Sequence, residues 1–280
     1  MLGSRYTGLV NAWLNRVVRR TRKRARSYLA QPSLQGIYRL LYRISLAGMN
    51  YGGAGANISA GDRVALRLLS ARSGGSKVVF DVGANVGTYV EQVLLLVDSD
   101  VTVFAFEPSR AAFEALEARF RERPNVEVHR KGMGARSTST TLWSSVPGSV
   151  LGTTFLDPTT SANAQGEPIE LISLDEFCAE AKIDHIDLLK LDVEGGELEV
   201  LRGASRLLAA NAIDVVQFEF GQPSLGARSF FGDLYRLLEP QFDIFRVLPD
   251  SLEPLAEYHE TLEVFMSTNY LAIARRLARY

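Results

Sequence analysis

From Lys77 onward, short apolar runs alternate with stretches in which apolar residues recur every three or four positions. Lys77 to Val82 (KVVFDV), Val101 to Phe106 and Val126 to Arg130 have the length and branched-chain content of buried strands. Between them, Thr88 to Val97 and Ser109 to Arg121 carry helical spacing. Such a βαβαβ run predicts a parallel sheet flanked by helices. Further buried strands are expected at Ile186 to Asp192 (IDLLKLD) and Ile213 to Phe220 (IDVVQFEF). In sheets of this kind ligands bind beyond the carboxyl ends of the strands, near the point where strand order reverses. The residues just after each strand are therefore the ones that carry chemistry. Ser137 to Pro168, rich in Ser, Thr and Asn, reads either as a loop covering the site or as a hairpin that adds an edge to the sheet.

Ahead of Lys77 the pattern is helical. Leu9, Trp13, Leu14, Val17 and Val18 fall at helical spacing within Tyr6 to Leu29 and give way to a basic run from Arg16 to Arg26, which predicts a basic amphipathic helix. Leu34, Ile37, Leu40, Leu41 and Ile44 share one side of a second helix, begun at Pro32 and expected to be packed. A Gly-rich loop at Gly52, Gly53 and Gly55 precedes a third helix at about 60–71. The expected organisation is a basic helical extension over residues 1–61 and one main domain over 62–280.

Charge sharpens that division. The chain is nearly neutral, with 31 basic against 32 acidic residues, yet the first 61 residues hold ten basic side chains and no acid. The remainder carries a net charge of −11. Three readings of the basic head stand open: a helix that lays one stripe on the body, a peripheral contact with a membrane surface or nucleic acid, and an organellar transit segment. A secretory signal does not fit, because the charges follow the apolar residues. No run of about 18 apolar residues exists, so no membrane-spanning helix is expected. With Cys178 the single cysteine and only His129, His185 and His259 as histidines, no disulfide, cysteine zinc cluster or histidine metal spacing can be drawn. The expected location is the cytoplasm, with attachment to a membrane periphery left open.

The first expected strand runs into Asp81-Val82-Gly83-Ala84-Asn85-Val86-Gly87-Thr88. Gly83 and Gly87 allow a sharp turn and close approach of a ligand to the backbone and the next helix. Asn85 and Thr88 stand where G-x-G-x-x-G would place its second and third glycines, so a pyrophosphate site fits poorly. Glu107, at the end of the next strand and 20 residues after Gly87, can accept hydrogen bonds from both ribose hydroxyls of an adenosine. Asp81 adds a second carboxylate, and no Lys or Arg clamp accompanies them. That chemistry suits a cationic nucleoside such as S-adenosylmethionine better than a polyphosphate.

At the end of the later strand, period-two alternation puts Lys190, Asp192 and Glu194 on one side. A carboxylate there could take a proton from a substrate hydroxyl, and a pair of them, Asp192 with Glu219 of the following strand, could hold a divalent cation. The competing structural reading pairs Lys190 with one acid, Glu219 serving as a third acid of the site or as support for that lysine.

Taken together, Asp81 to Gly87, Phe106-Glu107-Pro108, Leu188-Leu-Lys-Leu-Asp-Val-Glu-Gly-Gly-Glu197, Val200-Leu-Arg-Gly203, Glu219 and Asn269-Tyr-Leu-Ala272 resemble the FkbM family of S-adenosylmethionine-dependent methyltransferases. The resemblance spans roughly Lys77 to Ala274 and leaves out the basic head. It implies an α/β, Rossmann-like class I methyltransferase sheet of seven mostly parallel strands, the last antiparallel. It also implies methyl transfer to a hydroxyl oxygen. By position it implies that Asp81, Gly83, Asn85 and Gly87 line the methionine end, Glu107 holds the ribose, Gly132 and Met133 face the adenine, and Asp192 and Glu194 meet the acceptor. Gly196 departs from the family's common Ala.

The expected acceptor is a small-molecule, glycan or lipid hydroxyl, and nucleic acid is disfavoured as a partner by the acidic body. Asp192 is expected to be the base or a metal ligand, with Glu194 positioning the acceptor. His259 is a weaker candidate base. An NAD-linked oxidoreductase or epimerase would share the sheet and the ribose acid but should show G-x-G-x-x-G and Tyr-x-x-x-Lys, which this chain lacks. A non-catalytic nucleoside-binding module with a membrane- or RNA-binding head is the remaining alternative.

Overall fold

The computed structural model describes residues 28–53, 60–71, 75–97, 100–144, 152–155, 165–249 and 251–277. The chain divides into two compact units, Met1–Met49 and Asn50–Tyr280. Apart from its last residues, the helix expected over Tyr6 to Leu29 lies outside the described residues.

In the first unit a short 3-10 turn, Pro32–Leu34, leads into α1, Gln35–Gly48. Proline at the entrance has no N–H to leave unbonded and a φ already suited to a helix. The stripe of Ile37, Leu40, Leu41 and Ile44 is not packed as expected. Each of the four is 52% to 58% exposed.

The second unit opens with α2, Ala60–Ser70, and then alternates β1 Lys77–Val82, α3 Thr88–Leu96, β2 Val101–Phe106, α4 Arg110–Phe120 and β3 Val126–His129. Gly132–Met133 (β4), Thr138–Ser144 (β5) and Gln165–Ile172 (β6) follow, then α5 Leu174–Ala181 and β7 Ile186–Leu191. Two short helices, α6 Glu197–Arg202 and α7 Ser205–Ala209, lead to β8 Ile213–Phe220, α8 Pro223–Ala227 and α9 Phe231–Leu238. The chain closes on β9 Phe242–Val247, β10 Leu252–Pro254 and β11 Thr268–Ala274.

The main sheet has eight strands in the order β10-β9-β11-β8-β7-β1-β2-β3. β1 pairs in parallel with β2 and β7, and β11 runs antiparallel between β8 and β9. The expected antiparallel last strand is therefore present, and the count is one higher than expected. The extra strand, β10, is a three-residue edge segment ending in Pro254, too short to read as a strand. Order reverses at β1, since the chain builds outward through β2 and β3 and returns on the other flank with β7. The switch point, and with it the natural ligand crevice, lies past the ends of β1 and β7.

Both faces of the sheet are buried, which is why its central strands read as unbroken apolar runs. Phe80, Val82, Leu189 and Leu191 belong to the core on one face, and Val79, Leu188 and Val215 to the core on the other. Two residues beyond Val79 and Leu188, on that same second face, stand Asp81 and Lys190, which are register partners across β1 and β7. The apolar layer thus ends in a buried polar pair at the crevice.

The segment from Ser137 to Pro168 resolves the choice between loop and sheet edge in a third way. β5 and β6 are a hairpin, but they form their own three-stranded sheet, β4-β6-β5, separate from the main one. Residues 145–151 and 156–164 of it lie outside the described set.

Candidate active site

The loop after β1 is shaped by three left-handed residues, Gly83 (φ 84°), Asn85 (φ 50°) and Gly87 (φ 83°). A Cβ on Gly83 would overlap the carbonyl oxygen of Asp192, so only glycine lets the loops after β1 and β7 touch. The amides of Gly83 and Ala84 both donate to the carbonyl of Phe106, at 2.9 and 3.0 Å, which ties the loop to the end of β2. Gly87 faces inward: a Cβ there would strike Phe120 and Leu116 of α4.

At the end of β2 the Glu107 carboxylate lies across this loop. Its two oxygens accept from the amides of Asn85 (2.9 Å) and Ser109 (2.8 Å). Burial pushes its pKa up to about 7 against the lowering effect of those two bonds, and the charge of Asp81 adds to the rise. Each carboxylate oxygen keeps a further lone pair for a ligand hydroxyl.

An open cleft enclosing about 760 Å³, mouth included, lies in front of Glu107. Gly83 and Asn85 line one side, Gly132 and Met133 of β4 another, and Asp192 and Glu194 close the far end. The small sheet supplies an apolar wall from Leu142, Ile169 and Leu171. Among the described lining residues there is no lysine or arginine. Carboxylates with an apolar slot fit a cationic nucleoside and would repel a phosphate.

Lys190 organises the acids behind the cleft. Its ammonium is 3.1 Å from Oδ1 of Asp81 and 3.3 Å from Oδ2 of Asp192, and it lies 4.9 Å from the centre of the Tyr89 ring. Asp81 is fully buried and Asp192 is not, so the lysine bridges the core and the cleft. The Tyr89 hydroxyl in turn donates to Gln217 of β8 at 3.1 Å.

Glu194 is set differently. It sits in a left-handed conformation (φ 51°), and its carbonyl accepts from the Thr153 hydroxyl at 2.9 Å. Burial raises its pKa to about 7, with the charges of Asp192 and Glu219 adding to the rise. Among the described residues no cation pairs with it. The loop that carries it is held by Glu197, whose carboxylate accepts from the amides of Val193 (3.1 Å) and Gly195 (3.3 Å) and whose own pKa burial raises to about 8.

Of the residues expected in the site, Gly83, Asn85, Glu107, Gly132, Met133, Asp192 and Glu194 converge on one cleft. Asp81 and Gly87 are not among its lining residues. Glu219 lines a smaller neighbouring recess together with Asp192, Glu194 and Glu197. Asp192, Glu194 and Glu219 do not gather as a metal-binding trio. Among the described residues the one such group is His185, Asp187 and Asp214, at the opposite end of β7 and β8, where Arg276 already pairs with Asp214. His259 caps the 3-10 turn Glu260–Leu262 by accepting from the Thr261 amide, and it does not line the cleft. Sequence reasoning missed Glu197, Thr153 and the apolar wall. Glu197 follows the Gly195-Gly196 turn at a helix start, a position where a carboxylate commonly accepts from nearby amides.

Comparison with known proteins gives the family. A family model described as the methyltransferase FkbM domain matches residues 81–244. A curated relative, the hexuronic acid methyltransferase AglP of Haloferax volcanii, is 29% identical over 162 residues, covering 58% of this chain and 64% of its own. Among solved structures, the methyltransferase FkbM of Methylobacillus flagellatus aligns at 18% identity over 72% of this chain and 45% of its own, with a TM-score of 0.44. Aeropyrum pernix fibrillarin, solved with S-adenosylmethionine natively bound, aligns at 13% identity over 77% of each chain, with a TM-score of 0.40. The chain spans less than two thirds of the length of AglP and less than half of the Methylobacillus chain. The family match takes in the end of β1 with its glycine loop, Glu107 and the Lys190 to Glu197 run, and on that match this chain belongs to the methyltransferase FkbM domain family.

Proposed function

We propose that the chain is an S-adenosylmethionine-dependent methyltransferase acting on a hydroxyl oxygen, with Glu107 holding the cofactor ribose and Glu194 serving as the base. The observation that carries this reading is the cleft itself: Glu107, Asp192 and Glu194 meet at the switch point beside an apolar slot, without a basic side chain among the described lining residues. When bound, the cofactor supplies an electrophilic methyl carbon. The protein has to align an acceptor oxygen with it, exclude water and remove one proton.

The two acids at the far end divide that work. Asp192 faces the Lys190 ammonium at 3.3 Å, so one of its oxygens is already held in an ion pair. Glu194, with a pKa of about 7 and no cation paired with it among the described residues, is the better proton acceptor near neutral pH. Asp192 is left to position the acceptor, which reverses the roles expected from sequence. The cation left open for Asp192 and Glu219 is given no part in the proposed reaction; the two acids line one recess, without a third ligand gathered beside them among the described residues.

AglP is named for hexuronic acid, a sugar with both hydroxyl and carboxylate oxygens. A carboxylate acceptor needs no base and would be repelled by Asp192, Glu194 and Glu219. A hydroxyl needs one, and the acids favour it.

Calorimetric titration of the full chain with S-adenosylmethionine should show saturable binding. Glu107→Gln should weaken it about 10- to 150-fold, the worth of hydrogen bonds to a charged group. Absence of binding by the unaltered protein would refute the reading. Labelled methyl transferred to extracts of the source should survive mild alkali, as an ether does. An alkali-labile ester product would reassign the acceptor to a carboxylate.

A further inference from the structure

The helix of the first unit presents a surface the methyl-transfer reading does not use. α1 is 14 residues long, about 21 Å at 1.5 Å per residue, too short to cross a hydrocarbon core of roughly 30 Å. No helix among the described residues is long and apolar enough to span a membrane. Yet Ile37, Leu40, Leu41 and Ile44 form one continuous stripe, each more than half exposed. Tyr42, at 60% exposure, lies on the far side of the wheel from that stripe. At 100° per residue, Arg39 and Arg43 fall on the opposite side of the wheel.

An apolar stripe alone does not say what covers it. Charge does. The first 61 residues contain ten basic side chains and no carboxylate, while the rest of the chain is strongly acidic. A surface that is apolar on one side, cationic on the other and free of acids matches an anionic lipid interface, where aliphatic side chains enter the acyl boundary and arginines reach the headgroups. We propose that α1 lies in the plane of an anionic phospholipid surface, with Ile37, Leu40, Leu41 and Ile44 inserted and Arg39 and Arg43 held at the headgroups.

Flotation of the full chain with lipid vesicles tests this. The protein should float with vesicles of phosphatidylcholine mixed with phosphatidylglycerol and stay behind with phosphatidylcholine alone. Replacing Leu40 and Leu41 together by Glu should abolish flotation without lowering the melting temperature. Arg39→Gln and Arg43→Gln should each weaken partition about fivefold. Equal flotation with neutral vesicles would overturn the charge argument. Flotation unchanged by the double leucine replacement would overturn the role of the stripe. A fall in melting temperature, or dissociation of a dimer, in that variant would show that protein covers the stripe instead. Loss of RNA binding in the arginine variants, with vesicles ignored throughout, would assign the head to nucleic acid. Because flotation needs no turnover, failure here leaves the methyltransferase reading standing, and failure to bind S-adenosylmethionine leaves this one standing.

Discussion

Removing the Lys190 ammonium should destabilise the protein more than any surface ion pair could. Lys190→Met keeps most of the side-chain volume but leaves Asp81, which is fully buried in the second-face core, without its cation at 3.1 Å. Breaking a buried pair by deleting one partner costs about 3–5 kcal/mol, because the remaining charge stays desolvated. The contact with Asp192 adds little, since that carboxylate is 45% exposed and water can replace the lysine. For a unit of this size each kcal/mol moves the melting temperature by roughly 2–4 °C, so a drop on the order of 10 °C is expected. Urea unfolding followed by circular dichroism gives the free energy directly.

The double variant Asp81→Asn with Lys190→Met carries the sharper expectation. If the cost of Lys190→Met is the stranded charge, neutralising Asp81 should recover much of the lost stability, with a coupling of at least about 2 kcal/mol. A single-variant loss below about 1 kcal/mol, or a double variant as unstable as the sum of the two singles, would refute this account of the polar end of β1 and β7.

Two further expectations concern the cleft. Glu194→Gln should lower kcat by about 10²- to 10⁴-fold, the usual worth of a general base. The rate of the unaltered enzyme should rise with pH through about 7, as the raised Glu194 carboxyl ionises, and the variant should lose that limb. A variant that retains the limb would move the base elsewhere. Gly83→Ala places a methyl group on the Asp192 carbonyl at a left-handed φ, so the two loops must part. It should unfold at lower temperature and bind S-adenosylmethionine at least tenfold more weakly in calorimetry; unaltered binding would mean that the loop contact does not shape the cleft.

What the sequence made legible was local. The βαβ run, the glycine loop and Glu107 are neighbours along the chain, and their spacing follows from strand length and turn geometry. What it hid depends on register. Asp81 and Lys190 are 109 positions apart and meet only because β1 and β7 pair with these two residues opposed. The wall of Leu142, Ile169 and Leu171 was hidden for a related reason. A polar, Ser- and Thr-rich stretch gives no sign that its few apolar residues belong to a separate sheet turned towards the cleft. The exposed stripe of α1 misled in the opposite direction, because helical spacing shows that residues share a face and is silent on what meets that face.

The acids of the cleft explain one another once their stability cost is considered. Glu107 and Glu194 have folded pKa values of about 7 and Glu197 of about 8, all above the ordinary carboxylate value of 4.5. A folded pKa raised above the unfolded one means that the native state holds the proton more tightly. Stability from these groups is therefore full at acid pH and is lost as pH rises from the unfolded value through the folded one. Near neutrality the protein thus carries carboxylates whose ionisation works against its own fold, and their raised values come mainly from desolvation. A cation in the cleft reverses the balance by favouring the ionised forms that burial opposes. The strain that makes Glu194 a base near pH 7 and the affinity expected for a sulfonium nucleoside are consequences of the same buried negative charge.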